Sequence, residues 1–227
     1  MQAAQAAMAA ALPKALAGRG SVTNNEGFIR RPLLLWYDQP ATEWVEALPI
    51  GNGRLGAMIF GRTAHERLQL NEDTIFAGGP YDPTNPEALP TLPEARRLIF
   101  AEHYKAASDL IGAKMMAQPI KQMPYQPLGD LSLDFPGHES VLNFRRELDL
   151  DTAIATVTYV MGGVRFTREF FSSPIDQVIV VHLTADRPNQ ITFDARMLSP
   201  QQAVVAADTD NTLILRGQNG AAHGVQG

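Results

Sequence analysis

The chain of 227 residues contains no cysteine, which excludes disulfides, thiolate zinc centres and thiol nucleophiles. Its five histidines, His65, His103, His138, His182 and His223, stand at no metal-ligand spacing, so neither a metal nor a cofactor is expected. A G-x-S-x-G elbow and a P-loop are both absent. Charge is sparse: only 19% of residues are Asp, Glu, Lys or Arg, the net charge is −5 and the pI is near 5.5. Without a basic stripe to neutralise phosphates, no nucleic acid and no anionic membrane is expected as a partner. No apolar run approaches the ~18 residues of a membrane span. What is present is a chain with 45% hydrophobic residues, globular rather than disordered, of a size ordinary for one all-β unit.

Residues 1–30 form an alanine-rich leader. Its Ala15-Leu16-Ala17 resembles a signal-peptidase site but lacks a positively charged n-region. The segment reads either as the tail of an export signal, placing the protein in the periplasm or outside the cell, or as an unstructured leader. Arg30-Arg31 precedes an apolar run that ends at Tyr37, too short for an h-region and predicted to be the first strand.

Gly51, Gly53 and Gly56 in Leu48-Pro49-Ile50-Gly51-Asn52-Gly53-Arg54-Leu55-Gly56 have the spacing of a dinucleotide-binding loop, and Glu72-Asp73 falls near the position of a ribose-binding carboxylate. The flanks do not fit that chemistry. A central strand cannot accommodate Pro49, and Gly61 stops the following segment after about one helical turn, so no helix N-terminus can face a pyrophosphate. Asn52-Gly53 instead predicts a tight hairpin between two short strands. Leu68 and Leu70 then alternate with Gln69 and Asn71 as in a strand.

Prolines 80, 83, 86, 90 and 93 predict a rigid connection. Two short helices follow, around 91–117. The first is expected to start at the capping-box spacing Thr91-Leu92-Pro93-Glu94, and the second covers Tyr104 to Met116. From Pro124 the period changes to two: Leu131, Leu133 and Phe135 alternate with polar residues, as do Thr152 to Tyr159. Gly162-Gly163 turns the chain into Val164 to Arg168. Further strands are predicted at Gln177–Thr184, Gln190–Met197, Ala203–Ala207 and Thr212–Arg216. This spacing indicates a mainly β, antiparallel sandwich. Arg145-Arg146 and Arg165 to Arg168 are placed on exposed strand faces, paired with Glu147 and Glu169. Trp36, Tyr37 and Trp44 are assigned to the core before a sugar-stacking platform.

Several ordered motifs carry a resemblance: LPIGNGRLGAMIFG, then Leu70-Asn71-Glu72-Asp73-Thr74, Gly78-Gly79-Pro80-Tyr81-Asp82, Tyr125 to Leu131, Arg146 to Leu150 and Arg168 to Ser173. In this order they resemble the N-terminal domain of glycoside hydrolase family 95, over roughly Leu33 to Gln218. The resemblance implies an antiparallel β-supersandwich from 31 to 227, incomplete at its C-terminus. It also implies a parent that hydrolyses terminal α-L-fucosides by an inverting acid/base mechanism, with the acid and base in an (α/α)6 barrel downstream of anything in this chain. No catalytic residue is therefore assigned, and the fragment alone is expected to be inactive.

The implied partners are a fucosylated glycan, met through the intact enzyme, and the barrel itself as an intramolecular packing surface. Asn71, Glu72, Asp73 and Phe76 are the candidate sugar-binding residues, on a loop directed towards that barrel; the bland alternative is that Asn71 and Asp73 bond their own backbone in an Asx-type turn. Where the family commonly has Leu-Trp-Ser after this motif, the chain has Ile75-Phe76-Ala77, which loses the indole N–H but keeps an aromatic face. A non-catalytic carbohydrate-binding or scaffold sandwich is the competing reading. A sandwich without its last strands leaves open edges, so the isolated chain is expected to self-associate. Sedimentation velocity checks this, and a monodisperse monomer would contradict it.

Overall fold

The computed structural model describes residues 33–227; the leader and Arg30 to Pro32 lie outside them. The chain divides into two compact units, one of residues 33–75 and 127–217 and the other of 76–126 and 218–227.

The first unit is a sandwich of two five-stranded antiparallel sheets. Sheet A has the order β1-β6-β7-β8-β9, from Leu34–Tyr37, Leu142–Asp149, Ile154–Met161, Val164–Ser173 and Val178–Ala185. Sheet B has the order β10-β5-β4-β3-β2, from Asp194–Leu198, Gly129–Asp134, His65–Glu72, Leu55–Ile59 and Leu48–Gly51. A separate hairpin joins β11, Gln202–Thr209, to β12, Thr212–Gln218. The hairpins at Asn52-Gly53 and Gly162-Gly163 form as their turn chemistry requires. Gly53 has φ +94° and both Gly162 and Gly163 have positive φ, a region where a Cβ is costly.

Strand alternation builds the core. Ala155, Val157 and Tyr159 of β7, with Val164, Phe166 and Phe170 of β8, face Leu48 and Ile50 of β2, Ala57 and Ile59 of β3 and Leu68 of β4. Burying each large member contributes about 1.5–3 kcal/mol. A smaller cluster of Ala41, Ala47 and Phe60 lies outside it.

Two arginines occupy inward positions. Arg168 is 2% exposed and Arg146 is 3% exposed, so the expectation of exposed faces is overturned for both. Residues one or three apart in a strand lie on opposite faces, which sends Arg145 and Arg165 outward and Arg146 and Arg168 in. Arg168 also does not pair with Glu169. Its guanidinium crosses from β8 to the β3–β4 connection, donating to the carbonyls of Arg62 at 2.8 Å and Thr63 at 2.6 Å and to the Tyr159 hydroxyl. It lies over the Phe135 ring at 3.7 Å and has the Glu66 carboxylate 3.7 Å away. Arg146 holds the preceding loop through the carbonyls of Gln39 and Glu46. Gly61 has φ +73°, and a Cβ there would meet Arg146 Cδ at 2.9 Å. Trp36 and Trp44 are each 55% exposed, and Tyr37 is exposed too. The first strand and the turn after it therefore do not feed their aromatics into the core: β1 is the edge of its sheet among the described residues.

The second unit carries α1, Ala88–Phe100, and α2, Tyr104–Lys114. α1 begins a turn earlier than Thr91. The side-chain oxygen of Asn85 accepts from the Glu87 N–H and its backbone oxygen accepts from Ala88, while its amide donates to the carbonyls of Lys114 and Met116. Asn85 thus closes the start of one helix and the end of the other, so the capping role assigned to Thr91 falls to it. Pro90 sits in the first turn, where no N–H is needed, and Pro93 lies inside the helix at the cost of one hydrogen bond. Likewise, the strand predicted over Gln190–Met197 forms only from Asp194.

Arg168→Ala should lower unfolding free energy by about 3–5 kcal/mol, because it strands a buried carboxylate and two carbonyls. Urea denaturation measures this, and a loss below about 1 kcal/mol would mean the guanidinium is dispensable.

Candidate functional site

The signature glycines and the Asn71 to Thr74 motif meet at one end of sheet B, where β3 pairs with β4 and Leu55 lies opposite Glu72 and Gly56 opposite Asn71. Asn52 Oδ1 accepts from the N–H groups of Arg54 and Leu55 at 3.1 and 2.7 Å, closing its own hairpin. Its amide donates to the carbonyl of Ser173, at the end of β8 in the opposite sheet. Arg54 donates to Glu72 at 3.2 Å and to Gln177 at 2.9 Å. The backbone N–H of Asp73 donates to the Arg54 carbonyl. The glycine-rich stretch therefore serves as a corner clamp between sheets, and no phosphate cradle is needed to account for it.

Glu72 is buried and Asp73 exposed, the opposite placement expected of neighbours leaving a strand. The side chain that receives the turn's backbone is Glu72: its Oε2 accepts from the Thr74 N–H at 2.9 Å and the Thr74 hydroxyl at 2.6 Å. Burial works to raise its pKa, but the Thr74 donors and Arg54 outweigh it and hold the carboxyl below its ordinary range. A carboxylate kept ionised in this way has no proton to give, so Glu72 is unsuited to general-acid chemistry. Asn71 is half-buried at the end of β4. Phe76 belongs to the second unit, 44% exposed and edge-on to Tyr125 with ring centroids 5.0 Å apart. Asn219 donates from its amide to the carbonyls of Phe76 and Gly78 and fixes that backbone.

The cluster that the sequence reading missed is internal. Glu66, 1% exposed, accepts at Oε1 from the N–H groups of Gly61 at 2.8 Å and Arg67 at 3.0 Å, while its Oε2 has no hydrogen-bond partner. Tyr159 receives the Arg168 guanidinium on its hydroxyl and lies 2.7 Å from His138 Nδ1. The tyrosine ring stacks on Phe166 at 5.4 Å. The available signal was period two: Glu66 shares the inner face of β4 with Leu68. No group of three or more metal-ligating side chains occurs among the described residues, and no described helix is long and apolar enough to cross a membrane.

Burial pushes the Glu66 pKa up to about 7, against the pull of Arg168 and the backbone donors. Burial, with Arg168 adding to it, lowers that of His138. The folded protein thus binds the Glu66 proton more tightly than the unfolded chain does, so this residue's contribution is full below about pH 4.5 and is lost as pH rises through about 7. His138 acts in the opposite sense, contributing above the unfolded value of 6.5 and losing that contribution on acidification. In Glu66→Gln, the melting temperature should fall less steeply than in the wild type between about pH 5 and 8. Parallel curves from calorimetry would assign the slope to other groups.

Comparison with known proteins matches the family described as "Glycosyl hydrolase family 65, N-terminal domain" over residues 35–227. "Alpha-L-fucosidase 2" of Arabidopsis thaliana is 44% identical over 169 residues, covering 73% of this chain and 20% of the relative. "Probable alpha-fucosidase A" of Aspergillus niger is 32% identical over 195 residues, covering 81% of this chain and 24% of the relative. The chain thus spans between a fifth and a quarter of the curated relatives it matches. With the ordered motifs, the two-sheet sandwich and a family match over nearly all described residues, the chain belongs to the glycosyl hydrolase N-terminal domain family in its α-L-fucosidase-like branch.

Proposed function

We propose that this chain is the N-terminal sandwich domain of an α-L-fucosidase-like glycoside hydrolase, and that the acid and base of the reaction lie outside it. The observation that carries this reading is the 44% identity to an α-L-fucosidase, combined with the commitment of the inner carboxylates. An inverting glycosidase needs two carboxyls about 6.5–9.5 Å apart across an open sugar site, one protonated and one ionised beside a water. Glu66 is sealed beneath Arg168, and Glu72 is neutralised by Arg54. Both serve the fold.

In the intact parent, the sandwich packs on the catalytic barrel and the loop from Asn71 to Phe76 contributes to recognition of a terminal α-L-fucoside. Asp73 and Phe76 are exposed and supply a carboxylate and an aromatic face for that purpose; Asn71 and Glu72 hold the loop's base. A carbohydrate-binding domain without catalytic role is the competing reading, and one assay separates the two. The purified chain should release no 4-nitrophenol from the aryl α-L-fucoside above buffer, while the longer gene product should release it. Turnover by this chain alone would place the catalytic carboxyls within it, and inactivity of the longer product would favour the binding-domain reading.

A further inference from the structure

The outer face of sheet A carries an in-register row that neither the core nor the Asn52–Glu72 corner uses. Trp36 of β1 pairs with Glu147 of β6, Glu147 with Thr156 of β7, Thr156 with Glu169 of β8, and Glu169 with His182 of β9. Beside it runs a second row of Arg145, Thr158, Thr167 and Thr184. At about 4.8 Å per strand, five strands give the row roughly 19 Å, the span of a short oligosaccharide. Glu147 and Thr156 are buried by their neighbours and form its floor, whereas Trp36 stands 55% exposed at one end.

Three properties define what fits. The Arg145 guanidinium lies 4.7 Å from the centroid of the Trp36 ring and fixes its orientation by a cation–π contact. The residue is still 55% exposed, which leaves aromatic surface open to an apolar face. The arginine of these two rows is already paired, with Arg145 Nε 2.8 Å from Glu147, and the Glu169 carboxylate is held by a 3.0 Å hydrogen-bond contact with His182 Nδ1. An anionic ligand therefore finds no free guanidinium in these rows, while a neutral ligand meets several fixed acceptors and hydroxyls. A molecule with apolar C–H faces, many hydroxyls and no charge meets each of these conditions.

We propose that this face is a binding platform for a neutral oligosaccharide chain, with Trp36 stacking on one sugar ring and Glu169, Thr158 and Thr167 receiving hydroxyls of the next. The platform is argued from this surface alone and stands whether or not the parent cleaves fucosides. Its role is to hold a glycan at a place separate from the reacting bond.

The test uses the full 227-residue chain and its intrinsic fluorescence, titrated with 2′-fucosyllactose, cellotetraose and xylotetraose. At least one sugar should shift the emission saturably, with dissociation constants on the order of millimolar, as befits an open surface. Trp36→Ala, which removes one of the two tryptophans and is therefore read by isothermal calorimetry, should weaken that binding about tenfold or more with an unchanged melting curve. Trp36→Phe should retain most of it, and Trp44→Ala should leave both the titration by isothermal calorimetry and its midpoint unaltered. Glu169→Gln supplies a second test that leaves the indole in place and should weaken binding severalfold. The proposal is overturned if no sugar gives a saturable response, if Trp36→Ala and Glu169→Gln bind as the wild type does, or if Trp44→Ala abolishes binding in calorimetry instead.

Discussion

One buried guanidinium joins the two layers. Arg168 stands in β8 among Val164, Phe166 and Phe170, where alternation calls for an apolar side chain. Its donors reach across the sandwich to carbonyls at Arg62 and Thr63 that belong to no strand ladder. A loop that crosses the end of a core must satisfy its polar backbone somewhere, and here a side chain from the facing sheet does so. The arrangement in turn requires Glu66 and Tyr159 to accept from or balance the cation, and Phe135 to cover it. Removing any one of them leaves a charge or a dipole without compensation in low dielectric. The packing of sheet A on sheet B is thus specified by polar contacts at its edge as well as by apolar area at its centre.

The opposite end is closed by weaker and more exposed means. Asn52 ties its turn to β8 through a single amide, and Arg54 bridges Glu72 and Gln177 from a half-exposed position. Screening by solvent limits such an ion pair to a fraction of a kcal/mol to about 1 kcal/mol. The two ends therefore differ in rigidity, and the softer one carries the exposed Asp73 and leads into Phe76. The loop proposed above for sugar recognition starts at that end, and surfaces that adjust to a ligand are drawn from locally less stable structure.

Much of this architecture was legible before any coordinates. The Asn52-Gly53 and Gly162-Gly163 turns, the period-two runs from Leu131 to Arg168 and the second helix are local signals, and local signals survive folding. The ordered motifs placed the chain in its family. What failed was assignment by residue type against position: arginine was sent to the surface although Arg145 and Arg146 are neighbours, and adjacent residues cannot share a face. Residue type alone assigns tryptophan to the core, whereas Trp36 stands on the edge strand β1 and Trp44 in the turn after it, both more than half exposed. The first helix started early because Asn85 caps it from before Pro86, a contact that depends on where the end of the second helix returns. For the candidate site, the sequence located the Asn71 to Thr74 turn but not which carboxylate closes it. That outcome follows from Arg54 and Thr74 being brought to Glu72 by strand pairing.

β4 has a further property in the placement of its two inward carboxylates. Glu66 and Glu72 lie near its two ends on the same face, with Leu68 and the partly buried Leu70 between them, and each meets its own arginine on a different element. A slip of one residue would turn both leucines outward. A slip of two would keep them inward while moving each acid away from its cation and driving one of them towards the apolar centre. The strand is thus keyed at both ends like a rod in a fitted slot, with a single register in which charge and hydrophobic surface agree.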